Sequence, residues 1–175
     1  MAEKTRKTEH KKLIRLLSQF CAATVLFVAD LWIKTAVKGS SLTEKPLELI
    51  PGVFSLQFTK NTGAAWGMFR DKPQLLSVFV GAALLLIAVY ACFSKGGAVQ
   101  NVCLTMIFAG GAANLADRVM NGYVTDYLSA DFISFPVFNF ADCLIVVGCI
   151  VLMIRLIYEA VRDSRGKRPA EKTNG

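Results

Sequence analysis

Five aspartates, Asp30, Asp117, Asp126, Asp131 and Asp142, lie inside or beside long apolar stretches of this chain. An ionisable group in hydrocarbon costs about 2.5–3.5 kcal/mol at mid-membrane on insertion scales, and less towards the interface. Several in one small protein need a reason. Other chemistry is scarce. The single histidine, His10, stands in a basic N-terminal stretch, which leaves serine nucleophiles without a base. No G-x-S-x-G elbow, P-loop or H-E-x-x-H is present. The five cysteines, Cys21, Cys92, Cys103, Cys143 and Cys149, form no C-x-x-C pair and sit in apolar runs as small hydrophobes. Neither a disulfide framework nor a metal site is expected.

Two carboxylates brought together cannot both ionise easily, so they share a proton. One can then draw a proton from water while the other protonates a carbonyl oxygen, which hydrolyses a peptide without metal or nucleophile. Asp126 and Asp142 can form such a pair if the 117–135 segment returns to the membrane beside the last apolar stretch. Asn114 and Arg118 are four apart on one helix face, and Asn139 and Asp142 three apart on another. Arg118 can grip a peptide carbonyl or a carboxylate with its planar fork. Plainer roles compete. Asn139 can cap the fourth helix, with Asp142 favoured by the positive helix end. Asn114, Asp117 and Arg118 can terminate the third helix and pair with one another, and Asp126 can be a turn residue after Gly122.

The elements that would position these residues follow from hydropathy. Of 175 residues, 54% are hydrophobic, too apolar for disorder. Four apolar segments, 16–37, 74–93, 99–116 and 136–158, approach or exceed the roughly 20 helical residues that cross a bilayer core. The expected architecture is an α-helical integral membrane protein of one domain with four transmembrane helices. A cleaved secretory signal at the N-terminus is the rival for the first segment. Asp30 and Lys34 stand where small cleavage-site residues should be, and at i,i+4 spacing they can pair within an uncleaved span.

The net charge of +7 comes from 20 Lys and Arg against 13 Asp and Glu, and twelve of the bases lie in the tails 1–15 and 159–175 or just inside them. That placement fits membrane orientation rather than nucleic acid. By the positive-inside rule both tails and the link around Lys95 are cytoplasmic, and the 38–73 and 117–135 loops face outward. In the 38–73 loop, apolar and polar residues alternate after Pro51-Gly52, as in a short hairpin or small sheet. The small-residue stretch Asn61-Thr62-Gly63-Ala64-Ala65-Trp66-Gly67 follows, with Trp66 suited to the membrane interface.

Five blocks occur in order: Asp30-x3-Lys34; Asn61-Thr62-Gly63-Ala64-Ala65; Gly110-Gly111-Ala112-Ala113-Asn114-Leu115-Ala116-Asp117-Arg118; Val124-Thr125-Asp126-Tyr127; and Phe138-Asn139-Phe140-Ala141-Asp142. Together they resemble the signature blocks of bacterial lipoprotein signal peptidase (signal peptidase II), over nearly everything except the polar tails. The resemblance implies an aspartyl endopeptidase of the bacterial inner membrane, without metal or cofactor. Such enzymes cut signal peptides from prolipoproteins before a diacylglyceryl-modified cysteine. It implies catalysis by Asp126 and Asp142, substrate binding by Asn61, Asn114, Arg118 and Asn139, and support from Asp30, Lys34, Asp117, Gly63 and Ala141. A small extracytoplasmic β-cradle, contact with membrane lipids, a monomeric state and binding of globomycin-type inhibitors at the dyad belong to the same expectation. The chain departs from the family's pattern at Ala113, where glycine is usual, at Tyr127, where phenylalanine is usual, and in a short 127–137 stretch. A proton or cation pathway using Asp30, Asp126 and Asp142 is the alternative from another class. Clustering of the acids on one side and the lack of an internal repeat oppose it.

Overall fold

The structure is a computed structural model that describes residues 2–63, 72–94 and 96–166. Trp66 and Lys95, singled out above, and the tail beyond residue 166 lie outside the described residues. Four helices carry the chain: α1 (Ala2–Lys38), α2 (Pro73–Phe93), α3 (Ala98–Asn121) and α4 (Phe140–Gly166). Each is long and apolar enough to cross a membrane. Their large side chains are turned outward, with Phe20, Trp32, Leu86 and Met120 all exposed, the arrangement expected where the surroundings are hydrocarbon.

The helix ends differ from the apolar boundaries in instructive ways. α1 begins at residue 2 rather than 16, because Lys, Arg and Glu are good helix formers and no Gly or Pro interrupts residues 2–38. At ~1.5 Å per residue it is about 55 Å long, well beyond a hydrocarbon core of about 30 Å. Likewise α4 continues past residue 158 to Gly166. α4 starts at Phe140, not 136, since Pro136 and Val137 are not helical and Phe138 bridges to Leu128. α3 does not stop at residue 116 but runs to Asn121, so Asn114 and Asp117 lie inside the helix and Arg118 opens its last turn. Gly122 ends it, at φ 78 with its N–H donating to Arg118 O. A left-handed residue there suits glycine best, since it has no Cβ to clash. α2 matches its apolar segment and opens on Pro73, where a missing N–H costs nothing.

Three strands form the expected small sheet, in the order β1 (Leu47–Ile50), β2 (Phe54–Asn61), β3 (Val124–Ala130). β1 and β2 make the hairpin around Pro51-Gly52, and β3 pairs antiparallel with β2 from Phe54↔Ala130 to Asn61↔Val124. Asp126 therefore sits mid-strand opposite Thr59, not in a turn.

α3 is the central helix and packs on the other three, while α2 leans on α3 and hardly touches α4. The α3–α4 contact is very close. A Cβ added at Gly110 would collide with the Ala141 carbonyl, a backbone atom that cannot step aside. Gly110→Ala is expected to push α4 away and cost about 1–3 kcal/mol. The check is thermal unfolding of the detergent-solubilised protein, where an unchanged midpoint would refute the close approach.

Candidate active site

Helix capping places the first carboxylate. Asn139 is the N-cap of α4, and Asp142 follows three residues on. Asp142 N–H donates to Asn139 Oδ1 at 3.0 Å, and Asn139 N–H donates to Asp142 Oδ2 at 3.0 Å. This reciprocal box satisfies two otherwise unpartnered donors. The remaining first-turn N–H groups are also taken: Phe140 donates to Tyr127 Oη at 3.2 Å and Ala141 to Asp30 Oδ1 at 2.9 Å. Asp142 is thus fixed by the way its helix begins.

The second carboxylate arrives on β3. Asp126, 2% exposed, accepts from Asn139 Nδ2 at 2.6 Å on one oxygen and from Asn61 Nδ2 at 2.8 Å on the other. Asn139 therefore holds both acids, one with its side chain and one with its backbone. Asn114 Nδ2 donates to the other oxygen of Asp142 at 2.8 Å, and Asn114 Oδ1 accepts from Asn139 Nδ2 at 3.1 Å. Burial, then the negative charge of Asp142, push the Asp126 carboxyl up to about 7, against the opposing bonds from Asn61 and Asn139. Burial also pushes the Tyr127 phenol up to about 12, so it stays neutral while capping α4.

Beneath the two acids lies an ionic layer. Lys34, 1% exposed, donates to Asn114 Oδ1 at 2.7 Å and pairs with Asp30 Oδ2 at 2.7 Å, the i,i+4 pairing expected. Asp117 does not pair with Arg118. Its carboxylate takes Lys38 Nζ at 2.7 Å, Asn121 Nδ2 at 2.6 Å and the Thr125 N–H at 2.6 Å. That last bond clamps β3 next to Asp126. Arg118 instead reaches the neighbouring loop, donating from Nη2 to Gly63 O at 2.8 Å, while Gly63 N–H donates to Asn61 Oδ1 at 3.0 Å. Arg118 Nε is buried with no protein partner among the described residues. Ala141 is fully buried under Gly110.

Every sequence-derived site residue converges here: Asp30, Lys34, Asn61, Gly63, Asn114, Asp117, Arg118, Asp126, Asn139, Ala141 and Asp142. Asp131 does not join them. It sits at the far end of the sheet, accepting from Ser55 Oγ at 3.0 Å and Ser129 Oγ at 2.7 Å. Three contributors went unrecognised in the sequence, namely Lys38, Thr125 and Tyr127. For Lys38 a signal existed, since residues 30, 34 and 38 repeat at four-residue spacing on one face of α1.

A cavity of about 630 Å³ adjoins the acids. Asp126, Asp142, Asn114 and Arg118 reach its wall, and the rest is mostly apolar, with Leu76 and Val80 from α2 facing Val146 and Val147 from α4. Because α2 and α4 are scarcely in contact, the space between them is not filled by any of the described residues. Chemically, the arrangement offers two carboxylates joined through Asn139, a raised proton affinity at Asp126, a guanidinium Nε without a partner among the described residues, and an apolar approach.

Comparison with known proteins gives consistent results. Residues 22–158 match the family model described as signal peptidase (SPase) II. A lipoprotein signal peptidase of Enterococcus faecalis is 38% identical over 87% of this chain and 95% of its own length. One from Fusobacterium nucleatum is 32% identical over 77% and 82%, respectively. Two solved structures of bacterial membrane enzymes share the fold. The first has a TM-score of 0.77 at 24% identity, covering 88% of this chain and 93% of that one. The second has a TM-score of 0.72 at 25% identity, covering 79% and 92%. The four helices and these likenesses make the protein a multi-pass membrane protein. With the match running through all four helices and the sheet, the chain belongs to the signal peptidase II family.

Proposed function

We propose that the protein is a lipoprotein signal peptidase that removes the signal peptide from prolipoproteins, cleaving before a diacylglyceryl-modified cysteine with Asp126 and Asp142 as its catalytic dyad. The observation that carries this reading is Asn139, which binds Asp126 and Asp142 at once beside a cavity lined by apolar groups of two spans. A water held between the acids loses a proton to one carboxylate as its oxygen attacks the scissile carbonyl. The other acid gives its proton to the developing oxyanion. When the intermediate collapses, the carbon–nitrogen bond breaks and a proton returns to the leaving amine. Arg118 and the amides of Asn61, Asn114 and Asn139 orient the peptide backbone. Asp30, Lys34, Asp117, Gly63 and Ala141 hold those groups in place.

The gap between α2 and α4 suits a substrate that arrives sideways with its acyl chains still in lipid. The basic tails favour an inner-membrane protein with both termini in the cytoplasm and the dyad near the outer face. On this reading it acts as a monomer, and globomycin-type inhibitors bind across the dyad.

The test is cleavage of a lipidated peptide and its unlipidated twin in detergent or vesicles. Asp126→Asn and Asp142→Asn are each expected to slow cleavage of the lipidated peptide at least about 100-fold while leaving the helical circular-dichroism spectrum unchanged. Wild-type rates in either variant would remove the dyad, and equal cleavage of the two peptides would remove the lipoprotein assignment.

A second expectation concerns pH. The folded protein holds the Asp126 proton up to about 7, whereas the unfolded chain releases it near 3.8. Stability from this group is therefore intact below 3.8, drains between 3.8 and 7, and is gone above about 7. The unfolding midpoint should be higher at pH 5 than at pH 8, with a smaller difference in Asp126→Asn. A variant that keeps the full difference would contradict the assignment to Asp126.

A further inference from the structure

The far end of the sheet carries apolar groups that neither the core nor the dyad uses. Leu49 and Ile50 on the β1 side and Phe132 and Ile133 beyond β3 are each more than half exposed. They form one surface. Ile50 pairs with Phe54 and Phe54 with Ala130. The Phe132 ring stands edge-on to Phe54 at 5.9 Å between centroids, and Asp131 N–H donates to Val53 O at 2.9 Å, tying the two turns together. Residues 49–54 and 130–135 contain one ionisable group, Asp131, and it accepts from Ser55 and Ser129. A contiguous, almost uncharged apolar patch on a protein surface marks an interaction site.

Two occupants are conceivable, a protein surface or lipid, and position decides between them. Phe135, Pro136, Val137 and Phe138 share a cavity wall with Leu76, in the first turn of α2, and with Val80 of the same span. That end of the loop is therefore level with the outer helix ends. Phe132 is only three residues from Phe135, so it lies within about 10 Å of that depth. The headgroup zone extends roughly 5–7 Å beyond the hydrocarbon on each face. Aromatic rings are favoured in that zone.

We propose that the tip formed by Leu49, Ile50, Phe132 and Ile133 inserts into the outer headgroup–acyl boundary as a membrane anchor for the sheet. Anchored at the tip and clamped to α3 through Asp117 and Thr125, β3 is held at both ends. Asp126 then keeps a fixed depth relative to the bilayer surface. This rests on the four helices spanning a membrane but not on the catalytic roles above, and its test involves no cleavage.

Tryptophan placed at the tip reports its surroundings. With Trp32→Phe and Trp66→Phe as background, Phe132→Trp and, separately, Ile133→Trp are reconstituted in phosphatidylcholine vesicles with or without acyl-brominated phosphatidylcholine. The anchor predicts emission at short wavelength that brominated lipid largely removes and that aqueous iodide barely changes, independent of the lipid-to-protein ratio. Long-wavelength emission quenched by iodide in both variants would overturn it. Short-wavelength emission insensitive to brominated lipid, or lost on dilution with lipid, would also overturn it and assign the patch to a second copy of the chain.

Discussion

A buried lysine is the constraint on which this structure turns. Lys34 sits 1% exposed within the membrane-spanning part of α1, and an ammonium ion there is tolerable only if its hydrogens find acceptors. Asp30 supplies one from the same helix and Asn114 another from α3. Asp30 uses its second oxygen on the α4 backbone at Ala141. One ion pair thereby fixes the relative heights of α1, α3 and α4. The acids and amides above it inherit their spacing from that alignment. Removing the lysine alone would leave Asp30 a buried charge without its partner, so the layer holds together or fails together.

Structural duties and the proposed chemistry fall on the same atoms. Asn139 and Asp142 form an ordinary capping box, and Asp142 is also one of the paired acids. A capping reading and a catalytic reading of those two residues looked like competitors, yet the box is what aims the carboxylate. The same holds for Asn114, which accepts from Lys34 and from Asn139 while donating to Asp142. Such sharing preorganises the site, since every rotamer is held by bonds the fold needs anyway.

What could be read from the chain beforehand follows a physical pattern. Spans, hairpin and the set of residues that converge beside the cavity were readable because they depend on local composition, spacing and recognisable blocks. Apart from those of α2, helix ends were not. Charge does not terminate a helix, so α1 and α4 run through their basic stretches, whereas Gly122 and the non-helical 136–139 stretch, with its Phe138 bridge, do impose limits. Partner choice was half readable. The Asp30–Lys34 pair is local to one helix, but Asp117 with Lys38 and Arg118 with Gly63 are separated by 79 and 55 residues. Those pairings required knowing how α1 and β2 come to lie against α3. The Tyr127 hydroxyl could be seen in the sequence only as a departure, because its work is done on an N–H at the start of another element.

The poorly closed seam between α2 and α4 has a thermodynamic consequence. If that apolar space opens to the bilayer, as the proposed lateral entry requires, it does not stand vacant, because ordinary lipid chains are its solvent. On the proposed reading, binding a lipidated substrate there swaps one acyl chain for another, and the apolar contributions largely cancel, since lipid tails are as apolar as leucine. Selectivity must then come from the few polar groups in the wall, and occupancy depends on mole fraction in the membrane plane rather than on bulk concentration.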